Sequence, residues 1–186
     1  MRGLTSLILL GSAALLASCS RSDQAKAPPS ASSDAAAAEA PALWSVQALD
    51  DQNRTVRTIL LCADHGVEAS FTRPLPSPNG QPCGLIGPTV TNGGRFAARC
   101  KSEGRLFNIQ AESSGDLGRD FTTRLLIQTD VKGQQSLVQT LHYRRLGGCP
   151  DGWSIGDAAA PGDTQTVNSL SGATRRLSAP VAAPPA

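Results

Sequence analysis

The middle of the chain alternates apolar and polar residues with a period of two, the pattern of half-buried β-strands. Trp44, Val46 and Ala48 alternate with Ser45 and Gln47. A turn at Asp50-Asp51-Gln52-Asn53 leads into a second strand, Arg54 to Cys62, which ends in the apolar run Ile59-Leu60-Leu61. Phe107, Ile109 and Ala111 share one face of the run Arg105 to Ala111, with Leu106, Asn108 and Gln110 on the other. Phe121, Leu125 and Ile127 do the same in Phe121 to Thr129, and Leu137, Leu141 and Tyr143 in Gln135 to Leu146. Turn chemistry separates these runs: Lys101-Ser102-Glu103-Gly104, a Gly-containing loop from Ser113 to Asp120, and Asp130-Val131-Lys132-Gly133.

A hairpin is expected between Gln81 and Lys101. Two short β-prone runs flank Asn92-Gly93, a pair suited to a type I′ turn because its central residues need φ > 0. Cys83 and Cys100 stand towards the outer ends of the two arms. Pairing about the turn brings them close, although a bulge or bend near Gly87-Pro88 is needed to place them within disulfide reach.

Six or seven strands at short spacing, joined by turns, predict an all-β fold: an antiparallel meander forming a curved sheet or small open barrel, with a sandwich as the alternative. No long helical period separates the strands, which argues against a parallel βαβ architecture. Ala63 to Ser70 is expected to form a short helical turn; Pro74, Pro76, Pro78 and Asn79-Gly80 stop anything longer. Trp44 is expected to anchor the core near the start of the sheet.

Both ends lose this periodicity. The expected organisation is a leader over residues 1–18, a flexible Ala/Ser/Pro linker over 19–41, a β domain over 42–157 and a disordered Ala/Pro-rich tail over 158–186. In the leader, Arg2 supplies a positive start, Leu4 to Leu16 is mostly apolar, and Leu16-Ala17-Ser18-Cys19 follows. The run falls short of the about 20 apolar residues of a transmembrane helix. Leu-Ala-Ser-Cys resembles the lipobox of bacterial lipoprotein signal peptides, in which the cysteine is acylated and becomes the mature N-terminus. That resemblance implies lipidation at Cys19, a membrane anchor made of several acyl chains, and residence in the cell envelope. Ser20, rather than Asp, after the cysteine implies the outer membrane facing the periplasm over the inner membrane. An ordinary cleaved secretory signal is the alternative.

Of five cysteines, four remain after Cys19: Cys62, Cys83, Cys100 and Cys149. An even number in an exported chain reads as two disulfides, with three possible connectivities. If Cys83 takes Cys100, Cys149 takes Cys62, closing a loop of roughly ninety residues worth on the order of 4 kcal/mol, against about 3 for the hairpin bond. No C-x₂₋₄-C spacing points to zinc, and no metal or cofactor is expected. Aromatics make up only 4% of the 186 residues, so the core rests largely on aliphatic side chains and gains from covalent staples.

The formal net charge is +2, without a clustered basic tail, which argues against a nucleic-acid partner. Arg95, Arg99 and Lys101 alternate along one arm of the hairpin and so line one face, a possible anion-facing surface for lipid head groups or lipopolysaccharide phosphate. The bland reading is an ordinary polar sheet face. Neither a P-loop, a G-x-S-x-G elbow nor an H-E-x-x-H motif is present. His65 beside Asp64 offers a minor hydrolase alternative, Asp50 and Asp51 read as turn residues, and His142 reads as a strand residue. No catalytic residues are expected.

The order of features resembles a known family. Ala42-Leu43-Trp44 opens the first strand, Cys62 precedes an irregular segment, Cys83 and Cys100 flank a hairpin, and Arg144-Arg145-x-Gly147-x-Cys149 closes the sheet. Residues 42–150 thereby resemble the bacterial envelope proteins grouped as domain of unknown function 3617. Ala42 stands where that family usually has Gly, and the C-terminal tail is longer. The resemblance implies export and a β-rich domain, and no activity. The expected role is a lipid-anchored, non-catalytic binding or interaction module, with an amphipathic ligand or an envelope protein as partner. An envelope assembly or stress factor acting through protein contacts is the alternative.

Overall fold

The structure is a computed structural model and describes residues 40–77, 81 and 83–184. The expected leader, the expected lipidation site Cys19 and most of the expected linker lie outside the described residues, as do Pro78, Asn79, Gly80 and Pro82. The strands are β1 (Ala42–Leu49), β2 (Thr55–Ala63), β3 (Gly84–Leu85), β4 (Val90–Asn92), β5 (Arg95–Ser102), β6 (Arg105–Asp116), β7 (Asp120–Thr129), β8 (Leu137–Gly148), β9 (Asp157–Ala159), β10 (Gln165–Asn168) and β11 (Thr174–Arg176). One helix, α1 (His65–Thr72), follows β2.

All pairings are antiparallel and form one open sheet in the order β11-β10-β9-β2-β1-β8-β7-β6-β5-β3, with β4 also on β5. The expected meander holds for β5 to β8. The first hairpin departs from it, because β1 pairs with β8 and β2 with β9, seating the start of the domain in the middle of the sheet. β1 is then bonded along both sides, whereas β9 covers the outer side of β2 only at Leu60 and Leu61.

The short hairpin turns one residue later than its Asn-Gly pair predicts. Asn92 pairs with Arg95, so Gly93 and Gly94 are the central residues, at φ +55° and +80°. Both positions thus have the positive φ of a type I′ turn. A side chain at Gly94 would also bring its Cβ to 2.6 Å from the Ser113 carbonyl oxygen, which excludes anything but glycine there. The expected bend near Gly87-Pro88 is present. Residues 86–89 on one arm face only residues 98–99 on the other, and Gly87 takes φ +73°. That two-residue excess sets Cys83 within 5.6 Å (Cα–Cα) of Cys100, and the disulfide forms. The second disulfide joins Cys62 to Cys149.

Helix α1 starts where Asp64, in extended conformation, accepts a hydrogen bond from the Val67 amide at 2.9 Å. It stops before Pro74, whose ring disfavours helical backbone at Arg73. The helix covers one face of the sheet, here the inner face. Phe71 is buried against Trp44, Phe121 and Tyr143, with stacked rings at 4.6 Å (Phe71–Tyr143) and 4.8 Å (Phe121–Tyr143). Trp44, 1% exposed, is the anchor expected, and its indole N–H donates to the Glu68 carboxylate on α1 at 2.8 Å. A second cluster on the same face packs Phe96, Ile109 and Leu125 around the Cys83–Cys100 bond. The scarcity of aromatics is met by concentrating four of them at one place.

The C-terminal segment corrects the expectation of a disordered tail. Residues 158–184 are laid down as the last residues of β9, as β10 and β11, and as a strand-free run that returns to the sheet. Val181 exchanges backbone hydrogen bonds with the 162–163 turn, at 2.8 and 2.9 Å. Polar side chains supply the order that composition hides. Asp157, 3% exposed, accepts from the Ser154 amide and from Asn168, and also faces the Arg175 guanidinium. Arg175 in turn donates to the Gly152 carbonyl and to Ser154.

Candidate functional site

Strand alternation divides the sheet into two faces, and each carries a distinct surface. On the inner face, α1 leaves a cleft of ≈ 670 Å³ beside it, floored by Val46, Leu61 and Tyr143 and walled by Val67 and Phe71. Leu75, Ile155 and Leu170 reach its edge and are 40%, 37% and 66% exposed. A lining of this size and character falls within the range of small-molecule sites. Its polar groups are mostly engaged by local structure: Asp64 caps the helix, Ser70 donates to the Val67 carbonyl, and Ser169 donates to that of Gly156. Tyr143 is the titratable group on its floor. Burial pushes its phenol well above the ordinary value, so it stays a neutral O–H donor at any physiological pH.

On the outer face lie the basic residues expected to share a face. Arg95, Arg99 and Lys101 alternate with the buried Phe96, Ala98 and Cys100 along β5. Arg95 pairs with Glu112 of β6, at 3.1 Å, so one of the three charges is partly compensated. Register adds a residue that the hairpin alone does not show. Glu112 stands opposite Arg124 of β7, which is exposed on the same face. Arg105, across the turn, pairs with the buried Ser102 and so belongs to the inner face.

A second hollow on the outer face, ≈ 420 Å³, lies between the sheet at Leu43, Leu60 and Leu146 and the C-terminal run from Leu177 to Pro184. The chain itself closes over this one, whereas the inner cleft has exposed apolar side chains at its edge.

The remaining candidates find structural roles. Asp64 is spent on the helix cap, and His65 beside it is exposed. Asp50 accepts from the Gln52 and Arg54 amides and binds the Arg54 guanidinium at 2.7 Å, the turn chemistry expected. The Arg54 backbone amide first, and its side chain second, hold the Asp50 carboxyl below the usual range. His142 is more engaged than its sequence suggests: its ring bonds Asp120 on β7 at 2.8 Å and approaches Gln47 on β1 at 3.5 Å. Among the described residues, no cluster of three or more His, Cys, Asp or Glu could hold a metal ion, and no helix is long and apolar enough to cross a membrane.

Sequence reasoning missed the cleft, because its walls come from α1, β1, β2, β8 and the segment after β10. No local pattern connects those pieces. In comparisons with protein families, curated proteins and solved structures, none matches this chain.

Proposed function

We propose that this protein is a non-catalytic binding module of the bacterial cell envelope, anchored through an acylated Cys19, which takes an amphipathic ligand with an acyl chain in the inner cleft. The supporting observation is the cleft itself: ≈ 670 Å³, lined chiefly by apolar side chains, with exposed Leu75, Ile155 and Leu170 at its edge. A chain of methylene groups gains about 0.8 kcal/mol for each CH₂ buried in such a place. The neutral Tyr143 hydroxyl offers a donor for a polar end. Two disulfides suit a domain that works outside the reducing cytoplasm. The lipobox-like Leu16-Ala17-Ser18-Cys19 supports the anchor, and the cysteine frame with Arg144-Arg145-x-Gly147-x-Cys149 supports kinship with the envelope family it resembles.

Titration of the full chain with a dansyl-labelled undecanoic acid tests the ligand class. Saturable binding at one site is expected, weakened at least tenfold by Leu75→Asp together with Leu170→Asp. Absence of saturable binding overturns the proposal. Metabolic labelling with palmitate, lost on Cys19→Ala, tests the anchor separately.

A further inference from the structure

The outer face of β4 to β8 has an order that register makes visible. One row crosses five strands: Val90, Ala97, Gln110, Leu126 and Val138 are successive partners. Its two ends are exposed valines, Val90 at 59% and Val138 at 46%. Basic rows lie on either side. Two residues along each strand in one direction stand Arg95, Glu112 and Arg124; two in the other direction stands Arg99, followed by Lys101. Arg95, Arg99, Lys101 and Arg124 are all exposed. Four cations stand against two carboxylates, Glu112 and Asp130, the latter beside Leu106 and so in line with Lys101; the patch carries 4 − 2 = +2, as much as the whole chain. Asp116 and Asp120 are placed together at the far end of β6 and β7, beyond the patch. Two shallow hollows mark the surface, of ≈ 420 Å³ beside Arg95 and Arg124 and ≈ 230 Å³ beside Arg99.

We infer that this face docks on an anionic lipid bilayer. Each part of the surface matches a part of that partner. The cations on both sides of the row meet head-group phosphates, each adding roughly fivefold to the affinity close to a charged surface. The exposed valines at the ends of the row leave water on contact with the bilayer interface, where a purely polar partner would gain nothing from them. A row crossing five strands extends over roughly 19 Å, so contact is spread over several lipids. A single small anion would use one hollow and leave the valines idle. The inference stands on the outer face alone and depends neither on a ligand in the inner cleft nor on acylation of Cys19.

Vesicle co-sedimentation of the full chain carrying Cys19→Ala, which removes any acyl contribution, decides it. Phosphatidylcholine vesicles with and without phosphatidylglycerol are compared at low salt. Binding is expected to favour the anionic vesicles by at least tenfold and to weaken as salt rises. Arg99→Glu, Lys101→Glu and Arg124→Glu together should remove that preference. A control with the same change in net charge, Arg57→Glu, Arg105→Glu and Arg119→Glu, should keep most of it. Val138→Ser alone, which leaves the charge unchanged, should weaken binding severalfold, which a purely electrostatic contact would not require. Equal binding of the Cys19→Ala chain to the two vesicle types overturns the inference without any further variant. Equal loss in both charge-reversed proteins, or loss in neither, overturns it as well.

Discussion

Asn168 and Asp157, on neighbouring short strands, meet side chain to side chain at 2.9 Å in a buried position. Asn168 does more than pair. Its amide also donates to the Ile155 carbonyl at 2.8 Å, while its carbonyl oxygen accepts from the Leu170 and Ser171 amides. One side chain thus fastens the loop before β9 and the turn after β10.

Asn168→Ala is therefore expected to destabilise the domain by about 1–3 kcal/mol, the penalty of leaving buried partners unsatisfied. Hydrogen exchange should rise first in β10 and β11. Asn168→Asp should be worse, since it places two carboxylates in contact. Urea unfolding with exchange mass spectrometry reads both effects; wild-type protection of β10 in Asn168→Ala would refute the role given to this residue.

Trp44 carries both packing and a polar tie to α1. Its replacement by Ala should lose about 3–5 kcal/mol from the core. Trp44→Phe keeps an aromatic ring but leaves Glu68 without the indole donor. A double-mutant cycle of Trp44→Phe with Glu68→Ala should give a coupling near 1 kcal/mol, and additive effects would show that the bond contributes nothing.

The two disulfides should differ in worth. Cys62 and Cys149 are 87 residues apart, and Cys83 and Cys100 are 17 apart. Constraint of the unfolded chain makes the first worth about 4–5 kcal/mol and the second about 3. Paired Ala substitutions, which avoid burying new hydroxyls, should reproduce that order in denaturant midpoints. The reverse order would show that native contacts, rather than loop length, set the difference.

Two groups give the stability a signed pH dependence. The Asp50 carboxyl is held below its unfolded value, so its contribution is present above about pH 4 and is lost as pH falls further. The Tyr143 phenol is raised by burial, so its neutral form favours the fold below about pH 10, and stability falls above that value as the unfolded chain ionises. Asp50→Asn should flatten the acid limb of a pH–stability curve, and Tyr143→Phe the alkaline limb. A limb unchanged by its substitution would refute the assignment.

Much of the fold was legible because strand alternation is local. The period-two runs at Trp44, Phe107 and Phe121 locate their strands, and their apolar residues do face α1 and the core. Asp64 and Pro74 bracket the helix by chemistry within a few residues of each end. The cysteine frame was legible too, since hairpin pairing limits which thiols can meet. The last thirty or so residues were not legible, because their order rests on Asp157, Asn168 and Arg175. Those residues are ordinary polar ones until their partners are known, and Ala and Pro around them mimic a solvated tail.

The amino-acid sequence by itself determined the antiparallel β class and the places where the chain turns, and it favoured one of the three cysteine connectivities, which the structure then fixed. These depend on backbone preferences and on residues near one another along the chain. Tertiary structure alone decided that the first hairpin sits between β8 and β9, and that the tail joins the sheet. It also decided that Arg124 joins Arg95 and Arg99 around a row that ends in exposed valines, and that a cleft opens beside α1. Each of these depends on which distant strands become neighbours, and burial across the whole sheet settles that choice.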